Sequence, residues 1–116
     1  MADFSEAQIQ AIWEIAKLIP GLEDKKDEYR TDYAGAIIQR NMYGKGQNEL
    51  DFGWTIDHIK PLAKGGSNDI NNLVPLQWAN NNSKSDDYPQ FKTVVSSEKG
   101  DDQKWRNVEK IQTWKY

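Results

Sequence analysis

Apolar residues Ile9, Ile12, Trp13, Ala16 and Ile19 recur at three- and four-residue spacing, which draws one hydrophobic stripe along a helix. Ser5 and Gln8 form a capping-box pattern at its start, with Phe4 and Ile9 placed for a hydrophobic staple. Pro20-Gly21 is the expected stop, and the stripe reads as core packing. Residues 33–43 put Ala36, Ile37 and Ile38 in a row and fit either a short strand or a helical turn, before a turn marked by Gly44 and Gly46. From Phe52 to Ile59 the chain alternates, Trp54, Ile56 and His58 against Thr55, Asp57 and Ile59, as a strand does. Lys60 to Asp69, broken by Pro61, Gly65 and Gly66, must be a loop. Ile70 to Leu76 is a second short extended segment, and Gln77 to Lys84 a candidate helix. That helix is poor by propensity, because Asn80, Asn81 and Asn82 each cost several tenths of a kcal/mol relative to alanine, so the three need a loop or a task. After the breaker Asp86-Asp87-Tyr88-Pro89, the residues Thr93-Val94-Val95 and Trp105, Val108, Ile111 and Trp114 suit a hairpin across Glu98–Asp101. The spacing of the last four suits a helix equally well.

A chain of 116 residues supports one compact domain, or one with a short appendage. The absence of cysteine excludes a disulfide scaffold, a thiolate zinc site and a cysteine nucleophile. No apolar run approaches the roughly 20 residues of a membrane span, and no charged-then-apolar leader opens the chain, so a soluble cytoplasmic protein is expected. A hydrophobic content of 37% with five tryptophans is enough for a small core. The net charge of −3 gives no sign of a nucleic-acid or membrane partner. Charge is uneven, however: residues 1–32 carry eight acids and four bases, whereas residues 33–84 carry four acids and five bases. The sole histidine lies in that second, least acidic stretch. The charged run Glu23–Glu28 reads as a solvated loop or helix end.

The stretch with chemical content is Trp54 to Lys84. Asp57-His58 closes a probable strand, Gly65-Gly66 marks the loop, Asn72-Leu73 opens the next extended segment, and Asn81 stands three residues before Lys84. His58 and Asn72 are 14 residues apart, and Asn72 and Asn81 nine. In residue types and separations this segment resembles the HNH endonuclease family, built on the ββα-metal (His-Me) finger. More weakly, the likeness extends upstream through Tyr29-Arg30, Asp32, Gly35-Ala36, Arg40 and Tyr43-Gly44. The resemblance implies an α+β fold in a single domain: an N-terminal helix and extension over 1–50, a ββα-metal core over 51–87, and a C-terminal hairpin or helix over 88–116.

Cutting a phosphodiester requires an activated water, relief of phosphate charge and a stabilised leaving oxygen. A neutral imidazole can take the water's proton, its unperturbed pKa being about 6.5. Within this motif the resemblance makes His58 the general base, although a lone histidine is more often structural. It counts Asn72 with His58 in the catalytic set in a supporting part: the amide both donates and accepts, and ties the loop after the first strand to the second, against the plainer reading of an Asx turn. The implied metal ligands are Asp57, otherwise a turn or cap residue, and Asn81, otherwise an exposed helix amide, with Asn80 and Asn82 close enough for a one-residue shift. Family members often carry histidine at the Asn81 position and histidine or cysteine at that of Gln77. Amides here, with oxygen donors only, favour one Mg²⁺ or Mn²⁺ ion over Zn²⁺ or Ni²⁺. Adjacent strand residues point to opposite faces, so the strand is expected to break at about Asp57 for both side chains to address one phosphate. Trp54, Ile56, Leu73, Leu76 and Trp78 are expected to be core.

Arg40, Lys60, Lys64 and Lys84 are the candidate phosphate contacts, each weighed against simple solvation at the surface. So few cations imply modest, salt-sensitive, sequence-independent affinity for DNA, with RNA left open, and any specificity would come from a protein partner. The expected activity is metal-dependent DNA hydrolysis. The alternatives are a non-catalytic DNA-binding or phage assembly module with the same fold, and a secreted nuclease toxin with the same chemistry.

Overall fold

The computed structural model describes residues 3–116 as a small α+β protein with two helices and three antiparallel strand pairs among them, a layout compatible with an HNH fold. Helix α1 (Glu6–Trp13) begins as its sequence dictates: Gln8 N donates to Ser5 Oγ at 3.1 Å, and Ser5 N donates to Gln8 Oε1 at 2.8 Å. Phe4 packs with Ile9, Ile12 and Trp13 against the main core.

The helix is shorter than its apolar stripe. It stops at Trp13, well before Pro20-Gly21, and Ala16 and Ile19 reach the interior from irregular backbone. Tertiary bonding provides the reason. Lys17 pairs as an isolated bridge with Thr31, and the buried Arg30 guanidinium donates to the Glu14 and Ala16 carbonyls at 3.2 and 3.1 Å. These bonds satisfy groups that another helical turn would have used. The same cation lies 5.8 Å from the centroid of the Trp13 ring.

Strands β1 (Tyr29–Thr31) and β2 (Ile37–Gln39) form the first pair, so 33–43 is part strand, followed by a 3₁₀ turn at Arg40–Met42. Strands β3 (Trp54–His58) and β4 (Leu73–Gln77) form the second, in the register Trp54↔Gln77 to His58↔Leu73. Helix α2 (Trp78–Lys84) follows β4 directly. The C-terminal segment, open between helix and hairpin in sequence, is a hairpin of β5 (Gln90–Lys99) and β6 (Trp105–Lys115). Strand pairing on both sides of a register shift between Thr93 and Val95 outweighs the helical spacing of four apolar residues. No helix among the described residues is long and apolar enough to cross a membrane.

Trp54 is fully buried at the centre, 5.4 Å from the Trp13 ring and 5.0 Å from that of Tyr43. Ile56, Leu73 and Leu76 are buried as expected, while Trp78 is half-buried and donates Nε1 to Asp51 Oδ1 at 2.7 Å. Beside this apolar core lies a polar one. Asp32, fully buried, accepts from Ala36 N at 2.9 Å, Gln77 N at 2.9 Å and Asn80 Nδ2 at 3.0 Å. Gln77 caps α2, its Oε1 accepting from Ala79 N at 2.9 Å and Asn80 N at 3.1 Å. Asn80 Oδ1 accepts from Val94 N and Val95 N, each at 2.8 Å, where the β5–β6 register shifts between Thr93 and Val95. A buried amide thus supplies partners to backbone that the irregular ladder leaves without them.

Burial pushes the Asp32 carboxyl up to about 6, outweighing the N–H groups of Gln77, Asn80 and Ala36 that favour its anion. Because every partner donates, an amide at this position must turn its own N–H toward another N–H. Asp32→Asn is expected to lower unfolding free energy by about 2–4 kcal/mol in urea titrations at neutral pH. A change within about 0.5 kcal/mol would show that the node does not hold the fold.

Candidate functional site

One cavity of about 520 Å³ opens where β3 ends, bounded by the loop Pro61–Ala63 and the outer face of α2. Asp57, His58, Asn81, Asn82 and Asp86 line it, with Phe4 and Tyr43 on its apolar side. The strand, expected to break at about Asp57, ends one residue later: β3 runs through His58, paired with Leu73, and the chain bends from Ile59. Asp57 is buried beside buried Ile56 and His58 is half-exposed, so burial departs from simple alternation at the end of the strand. Both still border the cavity, because it receives residues of either parity from Thr55 to His58 at the strand's last turn of pleat.

Asp57 sits in a mixed field. Burial pushes its carboxyl up to about 6, while Lys84 and then His58 pull it down and Asp86 pushes it further up. Lys84 is the main departure from the sequence reading. Expected at the surface as a phosphate contact, it is fully buried, with Nζ donating to the His58 carbonyl at 3.1 Å and lying 3.4 Å from Asp57 Oδ2. Its ammonium also stands 5.2 Å from the Phe91 ring centroid. A cation enclosed by a carboxylate, a carbonyl and an aromatic face is not available to a phosphate. The ion pair has the distance but not the geometry of a hydrogen bond, so Asp57 Oδ2 remains a buried oxygen without a donor.

Asn72 holds the loop that follows β3. Its Oδ1 accepts from Lys60 N at 2.8 Å, and its Nδ2 donates to the carbonyls of Lys60 at 3.0 Å and Ser67 at 2.8 Å. Its own carbonyl accepts from Ile59 N at 2.8 Å. The chain must pass so close that only glycine fits: a Cβ on Gly66 would lie 1.8 Å from the Lys60 carbonyl oxygen. Asn72 itself does not line the cavity.

The remaining candidate cations are also outside it. Arg40 donates to Glu6 Oε1 at 3.0 Å and Gln10 Oε1 at 2.9 Å, and lies 6.0 Å from the Trp54 ring centroid, so it fastens α1 to the core. Lys64 is exposed, with a long 3.4 Å contact to the Tyr88 carbonyl, and Lys60 is half-buried in the Asn72-bound loop. Gln77 faces inward, capping α2 and donating Nε2 to the carbonyls of Glu49 at 2.8 Å and Asp51 at 3.0 Å, and so supplies no donor to the cavity.

Three features were not read from sequence. Asn68 lies 2.7 Å from His58 Nε2 through its Oδ1, and nothing in Ser67-Asn68-Asp69 distinguishes it from an ordinary loop asparagine. Asn80 is buried away from the cavity while Asn81 and Asn82 face it, a division that helical rotation sets once Asn80 is known to be inside. Phe4, read only as a staple, also lies 6.3 Å from the His58 ring.

Among the described residues no group of three or more histidine, cysteine, aspartate or glutamate side chains converges to hold a metal. The oxygen donors bordering the cavity include the carboxylates of Asp57, whose Oδ2 lacks a hydrogen bond, and Asp86, and the amides of Asn81 and Asn82. Hard oxygen donors of this kind could hold a divalent cation.

The HNH endonuclease family model matches residues 46–87. Asp57, His58, Asn72, Asn81 and Lys84 all fall inside this segment, which bears out the family resemblance read from them. The match points to nuclease-type activity; HNH proteins generally bind DNA and use a divalent metal. No curated protein and no solved structure matches the chain.

Lys84→Met tests the buried cation. It is expected to cost about 3–5 kcal/mol in urea unfolding at neutral pH, since it strands the Asp57 carboxylate. A lysine merely solvated at the surface would cost less than about 0.5 kcal/mol.

Proposed function

We propose that this chain, whose residues 46–87 carry an HNH endonuclease segment, is a metal-dependent endonuclease that hydrolyses DNA phosphodiester bonds, with β3, β4 and α2 as its ββα-metal core. The observation that carries the reading is the shared cavity: the one imidazole in the chain, a buried carboxylate and the α2 amide border the same space.

His58 is the general base. It stands at the mouth of the cavity on a strand held by backbone pairing to Leu73, half-exposed and so open to water. Asp57 and Asn81 would hold one Mg²⁺ or Mn²⁺ ion, which when bound supplies charge stabilisation to the phosphate and the leaving oxygen. Asp57 is suited to this because an oxygen of its carboxylate has no donor, although Lys84 shares the same oxygen's field. Lys84 keeps the anion tolerable in the fold and grips the His58 carbonyl, thereby fixing the backbone between the two side chains. Asn72 does the same for the chain beyond His58.

Substrate affinity rests on little free positive charge. Among the described residues no lysine or arginine lines the cavity, Asp86 adds an acid to it, and Arg40 is engaged with α1. Lys60 and Lys64 are the remaining phosphate contacts, which makes binding weak and salt-sensitive, with specificity left to a protein partner. The same scarcity of cations favours the second reading, a non-catalytic DNA-binding or assembly module that keeps the fold.

Plasmid relaxation separates the two. Nicking is expected with Mg²⁺ or Mn²⁺, is stopped by EDTA, and falls by about 10²–10⁴-fold in His58→Ala. Cleavage that survives this substitution unchanged rules out the proposed base. DNA retention without hydrolysis under any divalent ion selects the second reading.

A further inference from the structure

We infer that Asn68 is the positioning residue for the His58 imidazole: its side-chain oxygen accepts a hydrogen bond from Nε2–H and leaves Nδ1 as the nitrogen free to accept a proton from water. Asn68 Oδ1 lies 2.7 Å from Nε2. An amide oxygen can only accept, so Nε2 must carry the proton, and a neutral imidazole has just one. Nδ1 is then the lone-pair nitrogen, and no side chain or backbone group among the described residues hydrogen-bonds to it.

An isolated contact between two exposed polar side chains would orient a ring weakly. Here both partners are fixed by a third residue. Asn72 reaches across the loop, bonding Lys60 two residues after His58 and the Ser67 carbonyl one residue before Asn68. Ile59 N, next to His58, donates to the Asn72 carbonyl at 2.8 Å, and Asp69 N, next to Asn68, to Ser67 Oγ at 3.2 Å, so the backbone adjoining each partner is held too. The loop between them closes on Gly66, where no side chain fits against Lys60. Phe4 flanks the imidazole at 6.3 Å between ring centroids, restricting rotation from another direction. Asn72 therefore acts on His58 at one remove, by presenting Asn68 to it, and Asn68 sets which nitrogen is bare.

The kinetic consequence rests on the nuclease reading; the tautomer does not. His58 is the only histidine in the chain, so histidine-selective heavy-nitrogen labelling of the full protein reports one ring by NMR. In metal-free protein, at a pH where the ring is neutral, the expected spectrum shows Nε2 protonated and Nδ1 bare in essentially one tautomer. Asn68→Ala moves the ring toward a tautomer mixture, and Asn68→Asp, which keeps an acceptor oxygen, restores the single form. In the Mg²⁺-supported plasmid assay Asn68→Ala lowers kcat by roughly 10–100-fold, the range that loss of a ring-orienting partner costs at histidine ligands, with KM for DNA little changed. Asn68→Asp recovers most of the loss. A wild-type ring protonated at Nδ1 would overturn the inference, since Asn68 would then be donating to Nε2, and so would an unchanged tautomer in Asn68→Ala. If the wild-type spectrum is as stated but no metal supports cleavage, the nuclease reading falls and the positioning role stands.

Discussion

The fold turns on one buried carboxylate. Asp32 follows β1 and accepts from the Ala36 amide in the turn to β2, from the Gln77 amide at the end of β4, and from the Asn80 side chain in the first turns of α2. A carboxylate out of contact with water is costly unless its lone pairs are met, so these three elements have few ways to sit together. Gln77 and Asn80, thus placed, fix the start and the rotation of α2, and Asn80 carries the constraint onward to the β5–β6 hairpin. The face of α2 opposite Asn80 is the one that borders the cavity.

The same economy recurs around the imidazole. Lys84 from the end of α2 bonds the His58 carbonyl, and Asn72 at the start of β4 bonds the chain just beyond it. Each is a buried or half-buried polar group satisfied by backbone, so neither can move without leaving a group unpaired. The placement of the side chains at the cavity thus depends on the polar groups that immobilise their backbone.

How far the site could be read in advance differs by residue. Asp57, His58, Asn72 and Asn81 stand out as candidates in the sequence because their residue types and separations are distinctive within a single continuous segment. Capping of α1 and the strand over 54–58 were legible too, since both are set by neighbours a few positions away. Lys84 was misjudged: a lysine at a helix end reads as solvated, and only the arrival of β3 and Phe91 encloses it. The end of α1 was misjudged for the same reason, because Arg30 and Thr31 come from a separate strand.

Local spacing by itself determined the motif, the helix cap, the strand alternation and the loop glycines, all of which depend on interactions within a few residues or on steric rules. Tertiary structure alone decided which polar residues are inside, which asparagine of three is turned away from the cavity, and which group meets His58 Nε2. Burial and hydrogen bonding of a side chain depend on segments distant in the chain, and composition cannot report a partner that only folding brings near.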